Sequence, residues 1–218
     1  MSSRFVPLLA ACLVLPGACR SAPPQRPRAA DYPGVLRSPA ALERDVLLRQ
    51  HVTARWGEEE ERGFDAVLQK HGGALTVLGL SPAGSLGFSV VQRADAIELT
   101  NHMPEDFPFE PRFILLDVQR AFYPWLPGPS GPRADGEHAA EVDGERVVET
   151  WSAGRLVERI FTRLSGEPAG EIRIRFHWER ADLGVPSRTV LDNGWFGYRL
   201  SIETLEETSL EPADEEHA

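Results

Sequence analysis

The stretch Ile172-Arg173-Ile174-Arg175-Phe176-His177-Trp178 alternates large apolar side chains with charged or polar ones, without a break. Successive side chains of a strand point to opposite faces, so this period of two predicts a β-strand with one buried and one wet face. Ile172, Ile174, Phe176 and Trp178 are expected inside, with Arg173 and Arg175 in water. A slip of one residue would invert both sets. The same period recurs downstream, where Tyr198, Leu200, Ile202 and Thr204 oppose Arg199, Ser201 and Glu203. Upstream, Val46, Leu48, Val52, Ala54 and Trp56 oppose Arg49, His51, Thr53 and Arg55. Shorter strands are predicted over residues 64–69, 75–80, 86–91 and 96–100. Leu86, Phe88 and Val90 are expected to face the same interior as Ile172, Ile174, Phe176, Trp178, Tyr198 and Leu200.

The turns decide how these strands connect. Gly72-Gly73, Asp143-Gly144 and Ser152-Ala153-Gly154 are short, and residues 81–85 are only slightly longer. Neighbours in sequence should therefore pair as antiparallel hairpins, because a parallel crossover has no room. One helix is predicted over residues 111–123, where Ile114, Leu115, Val118, Ala121 and Phe122 recur at helical spacing and Pro111 suits the first turn. Pro124 and Pro127 stop it. Residues 128–141, rich in Gly and Pro, read as a surface loop. The expected fold is mainly β: an antiparallel meander forming an incomplete, half-open barrel, with one amphipathic helix inserted midway.

The N-terminus is of another kind. Arg4 is followed by an apolar run over residues 5–15, which resembles the charged and hydrophobic regions of a secretory signal. That run is too short to span a bilayer, which takes about 20 apolar residues. Leu15-Pro16-Gly17-Ala18-Cys19 resembles the box cut by the lipoprotein signal peptidase, although the aliphatic Leu15 stands one place early. Leu9-Ala10-Ala11-Cys12 fits the local pattern but leaves a shorter hydrophobic run, so Cys19 is the preferred acylation site and Cys12 the alternative. The expected organisation is a signal peptide over 1–18, a lipidated cysteine and proline-rich tether over 19–39, a β domain over 40–206 and an acidic, unfolded tail over 207–218. Both cysteines of the chain fall within residues 1–19, so the domain is expected to rest on its core without a disulfide.

A formal net charge of −10 argues against nucleic acid or anionic lipid headgroups as a partner, since both demand a basic face. The six histidines are scattered, with no His-x-x-x-His pair and no cysteine beside them, so no metal or cofactor is expected. Gly79-Leu80-Ser81-Pro82-Ala83-Gly84 carries a serine between glycines, but a nucleophile elbow needs Gly-x-Ser-x-Gly between a strand and a helix, and a strand follows here. No catalytic residue is assigned, and a non-enzymatic role is expected.

Several stretches carry a family resemblance. They are residues 43–56, Leu75-Thr76-Val77-Leu78-Gly79-Leu80-Ser81-Pro82, the helical Asp117-Val118-Gln119-Arg120-Ala121-Phe122-Tyr123-Pro124, and Asp192-Asn193-Gly194-Trp195-Phe196-Gly197-Tyr198. Together they resemble a domain-of-unknown-function family of short bacterial lipoproteins, whose members accompany fatty-acid-synthase-like genes for aryl polyene lipids. The order of strand, hairpin, mid-chain helix and closing meander is similar, at the level of fold, to the outer-membrane lipoprotein carrier and receptor LolA and LolB. That likeness implies a half-barrel whose apolar face holds an acyl chain or a lipoprotein. It also implies a lipid-anchored protein at the periplasmic face of the outer membrane, because Arg20 rather than an aspartate follows Cys19. Met103, Phe107 and Phe109, three large apolar residues in a proline-broken stretch, are expected to join Ile114, Leu115, Val118 and Phe122 as a lid. Two rival readings stay open, a docking module that binds no lipid and an envelope hydrolase or acyltransferase. Oligomeric state is not legible.

Fatty-acid labelling tests the anchor. Label is expected to enter through Cys19, so Cys19→Ala should abolish incorporation. Incorporation that survives Cys19→Ala and disappears in Cys12→Ala would move the anchor to Cys12.

Overall fold

The structure, a computed structural model, describes residues 32–57, 61–81, 83–104, 110–128, 131–166 and 168–210. Five strands come first: β1 (Val46–Trp56), β2 (Arg62–His71), β3 (Ala74–Leu80), β4 (Leu86–Arg93) and β5 (Ala96–Asn101). Helix α1 (Pro111–Phe122) follows. Six more strands complete the domain: β6 (Gly136–Val142), β7 (Glu145–Ser152), β8 (Arg155–Arg163), β9 (Glu171–His177), β10 (Arg188–Asn193) and β11 (Tyr198–Ser209). All eleven lie in one antiparallel sheet of order β5-β4-β3-β2-β1-β11-β10-β9-β8-β7-β6. Each half is a meander, β1 pairs with β11 to join the halves, and the sheet does not close: β5 and β6 are its two edges. Among the described residues no helix is long and apolar enough to cross a membrane.

The hairpins follow from backbone chemistry. Gly72 and Gly73, with φ of 56° and 74°, join β2 to β3, and Asp143 and Gly144, at 52° and 79°, join β6 to β7. Two successive residues at positive φ twist the backbone the way the flanking strands already twist.

The inner face of the sheet carries the apolar half of each alternation and packs in two main clusters on either side of α1. One gathers Phe113 and Leu116 of the helix with Val147, Phe161, Ile172, Ile174, Phe176 and Leu191. The other gathers Leu115 with Val46, Leu48, Leu68, Leu75, Val77 and Val90. Phe88 and Val90 thus meet a different part of the core from Ile172, Ile174 and Phe176, separated from them by the helix. On the outer face the expected charges form a ladder across strands. Glu158 on β8 takes Arg173 at 2.8 Å and Arg175 at 3.4 Å, Arg175 reaches Asp192 on β10 at 3.0 Å, and Asp192 takes Arg199 of β11.

Several expectations are corrected. Leu86, expected inside, is exposed at 40%. The register of β3 against β4 shifts after Gly79, so that Gly79 pairs with Phe88 but Leu80 with Leu86, and the extra residue, Gly87, turns Leu86 outward. Gly79 itself lies under the Phe88 ring, where an added Cβ would come within 2.0 Å of a ring carbon. The surface loop expected over 128–141 gives way at Gly136 to edge strand β6, which sequence patterning misses because an edge strand buries little. β11 runs on to Ser209, three residues past the expected end of the domain. At the other end, Tyr32 is 1% exposed, so the segment from Tyr32 to Pro39, read from sequence as tether, belongs to the folded body.

The inner-face assignment has a direct thermodynamic consequence. Ile174→Ala, at a fully buried position, should cost about 2 to 5 kcal/mol, whereas Leu86→Ala should stay within about 0.5 kcal/mol. Urea unfolding of the two variants checks this. Equal losses would contradict the bulge and the facing it imposes.

Candidate functional site

Helix α1 has a charged inner surface. Asp117 stands four residues from Phe113, and Arg120 four from Leu116 and three from Asp117, so helical geometry puts all four on one face. Arg120 is fully buried, 2.9 Å from Glu145 of β7, which is 1% exposed. Its guanidinium lies 5.1, 5.3 and 5.0 Å from the rings of Tyr32, Phe161 and Trp195. Asp117 accepts hydrogen bonds from the hydroxyls of Tyr32 and Tyr198, and Asn193 donates to Tyr32 at 3.0 Å. Burial raises the Asp117 carboxyl to about 6, against the two tyrosine hydrogen bonds and the Arg120 charge, which pull it down. Burial likewise raises Glu145, with Arg120 opposing.

This face pins the segment that precedes β1. Arg112 donates to the Tyr32 carbonyl at 2.7 Å and to that of Gly34, and Arg120 donates to Pro33 at 2.7 Å. Gln119 accepts from the Arg37 amide at 2.8 Å and returns a bond to its carbonyl at 2.9 Å, while Gln92 supplies a second donor there. Residues 32–37 thus form a strap held across the inner face by these polar contacts and by Tyr32 and Leu36, which pack in the apolar clusters.

A cleft of about 540 Å³ lies at the C-terminal end of α1. That volume lies within the roughly 300 to 1,000 Å³ of small-molecule sites. Its walls include Phe122 at the end of α1, Trp125 and Leu126 beyond it, Trp151 of β7, Leu156 of β8, Phe176 of β9 and Trp178. Three of the chain's five tryptophans are gathered here. Their N–H groups are all used inside the protein: Trp125 donates to the Gln119 carbonyl at 3.0 Å, Trp151 to Glu149 at 3.0 Å and Trp178 to the Leu156 carbonyl at 2.8 Å. With those donors satisfied, the rings contribute apolar surface to the cleft. Lower in the wall, Arg159 and Glu149 form a buried pair at 2.7 Å. Among the described residues no Ser, Thr, Cys or His lines it. Among the described residues no group of three potential ligands is placed to hold a metal.

The residues singled out from sequence are spread over this architecture. Ile172 and Ile174 are core filling at 0% exposure, and Tyr198 and Leu200 pack half-buried beside them. Phe88 and Val90 lie in the opposite cluster, and Leu86 is outside it. Of the helix positions expected in a lid, Leu115 is fully buried, Ile114 and Val118 are half-buried, and Phe122 lines the cleft. The helix thus contributes to both core clusters. Met103 is half-buried beyond β5, and Phe107, Phe109 and Cys19 lie outside the described residues. The cleft brings Phe176, Trp178 and Phe122 together with Trp125, Trp151, Glu149 and Arg159, which the sequence reading did not select. One signal was available for the helix, since Asp117 and Arg120 share their helical face with Phe113 and Leu116.

The model of a family described as a protein of unknown function, DUF3261, matches residues 47–206. No curated protein matches. Among solved structures, a LolA superfamily protein from Nitrosomonas europaea is 12% identical, with 83% of this chain and 96% of that one covered, at a TM-score of 0.45. A putative outer membrane lipoprotein-sorting protein domain from Vibrio parahaemolyticus is also 12% identical, with 81% and 90% covered, at 0.49. A DUF1329 family protein from Desulfovibrio piger reaches 0.38 at 12% identity, with 80% and 88% covered.

The buried carboxyl makes stability depend on pH. A folded-state value near 6, above the ordinary value near 3.9, means that protonated Asp117 favours the fold. This contribution is complete below about pH 4 and is lost as pH rises through 6, by about 3 kcal/mol. Asp117→Asn keeps a neutral group at all pH, so its stability relative to the parent should improve by about 2 to 3 kcal/mol between pH 4 and 7.5. Parallel denaturation curves at the two pH values would contradict the assignment.

Proposed function

We propose that this chain, which belongs to the DUF3261 family, is an envelope lipoprotein that carries or receives a hydrophobic acyl molecule at the periplasmic face of the outer membrane, without catalysing a reaction on it. The observation that carries the reading is the cleft at the end of α1, where three indole rings, Phe122 and Phe176 surround a volume of about 540 Å³. Phe122, Trp151 and Trp178 are half-buried and keep apolar surface next to solvent, and an acyl chain laid over it gains roughly 0.8 kcal/mol for each methylene it buries.

The lining also supports a binding role over a catalytic one. Acyl transfer or hydrolysis needs a nucleophile beside a base, and among the described residues the lining supplies neither hydroxyl nor thiol apart from Tyr123, whose hydroxyl reaches the Pro39 carbonyl at 3.5 Å. The charged pair in the wall is spent on itself, Arg159 against Glu149, and burial pulls the proton affinity of Arg159 down while Glu149 restores part of it.

Tryptophan emission reads occupancy directly, because three of five indoles line the cleft. A bromine-labelled fatty acid should quench it saturably. Ala41→Phe adds a ring at a half-buried lining position without emptying the core, and should weaken quenching about tenfold with little change in Tm. Linear, unsaturable quenching, or saturable quenching untouched by Ala41→Phe, would overturn the reading.

A further inference from the structure

Four arginines line the cleft, Arg44, Arg133, Arg155 and Arg159, against two glutamates, Glu43 and Glu149. This local excess of positive charge sits in a chain whose formal net charge is −10. Two of the four arginines are engaged: Arg159 by Glu149 at 2.7 Å, and Arg44 by Glu207 at 2.6 Å. The other two make their hydrogen bonds to neutral groups. Arg155 donates to the Trp178 carbonyl at 3.2 Å with its guanidinium 5.2 Å from that ring. Arg133 donates to the carbonyls of Leu126 and Pro127 at 3.1 and 3.0 Å, and its nearest acid, Glu149, is 3.9 Å away and already shared with Arg159.

A guanidinium fixed through one or two of its five donors is oriented, yet keeps donors and charge for a ligand. Two such groups beside an apolar cleft, Arg133 half-buried and Arg155 exposed, favour an anion there. A neutral chain would need only the rings. We infer that the cleft selects an acyl ligand with an anionic end, a carboxylate or a phosphate, its chain against the indole rings and its charge at Arg133 and Arg155. This deepens the acyl-binding reading and rests on it.

The test uses the whole chain and displacement of the neutral dye Nile red by oleate, oleyl phosphate and oleyl alcohol below their aggregation limits. Oleate or oleyl phosphate should displace the dye at about tenfold lower concentration than the alcohol, and whichever of the two is stronger identifies the anion. The double variant Arg133→Gln, Arg155→Gln should lose that advantage while binding oleyl alcohol as before, which also shows that its cleft is intact. The corresponding lysine pair should retain part of the advantage. Equal displacement by alcohol and anions, or a preference that survives in the double glutamine variant, overturns the inference and leaves the acyl reading standing. Displacement by none of the three overturns both.

Discussion

Arg120 is a charged side chain with no access to solvent, set 2.9 Å from Glu145 and enclosed by the rings of Tyr32, Phe161 and Trp195. Removing two charges from water costs several kcal/mol for each ion, so a pair like this is weak evidence for stability. Its strength is geometric. The helix can bury Arg120 only where Glu145 on β7 meets it, and Asp117 only where Tyr32 and Tyr198 donate to it. Those requirements set the rotation and the depth of α1 on the inner face. An all-apolar helix could slide or turn there at little cost; this one cannot.

The remaining architecture follows from that placement. An open sheet of eleven strands has an inner face that must be covered and two edges that nothing closes. With α1 fixed, Arg112, Gln119 and Arg120 hold residues 32–37 across the same face, and helix and strap divide the core into its two main clusters. The helix then ends at Phe122, capped by Tyr123, and Trp125 beyond it packs against Phe161 at a ring distance of 5.0 Å. The space just past that end is left uncovered. It is there that Trp151 and Trp178 complete the cleft.

Much of the sheet was legible because its signal is local. Ile172, Ile174 and Phe176 alternate with charges, and each of those three side chains is buried. What escaped detection depends on partners distant in sequence. The shift that turns Leu86 outward is a property of β4 against β3, and nothing in residues 86–91 alone reveals it. Edge strand β6 escaped because its inward positions, Ala140 and Val142, are only half-buried. The charged face of α1 was readable in principle, since Asp117 and Arg120 stand at helical spacing from Phe113 and Leu116, but a reading that seeks an apolar stripe passes over them. The cleft was not readable, because Trp125, Trp151 and Trp178 come from a post-helix segment, a strand and a strand end that only the sheet order brings together.

Native mass spectrometry of the protein, extracted from membranes in mild detergent, tests most directly whether this cleft is a site for an acyl molecule and not a surface defect. The account predicts one acyl-containing adduct per chain, beyond any covalent anchor, that is absent when Ala41→Phe narrows the cleft. A parent protein that emerges at its bare mass, or an adduct that Ala41→Phe leaves in place, would contradict it.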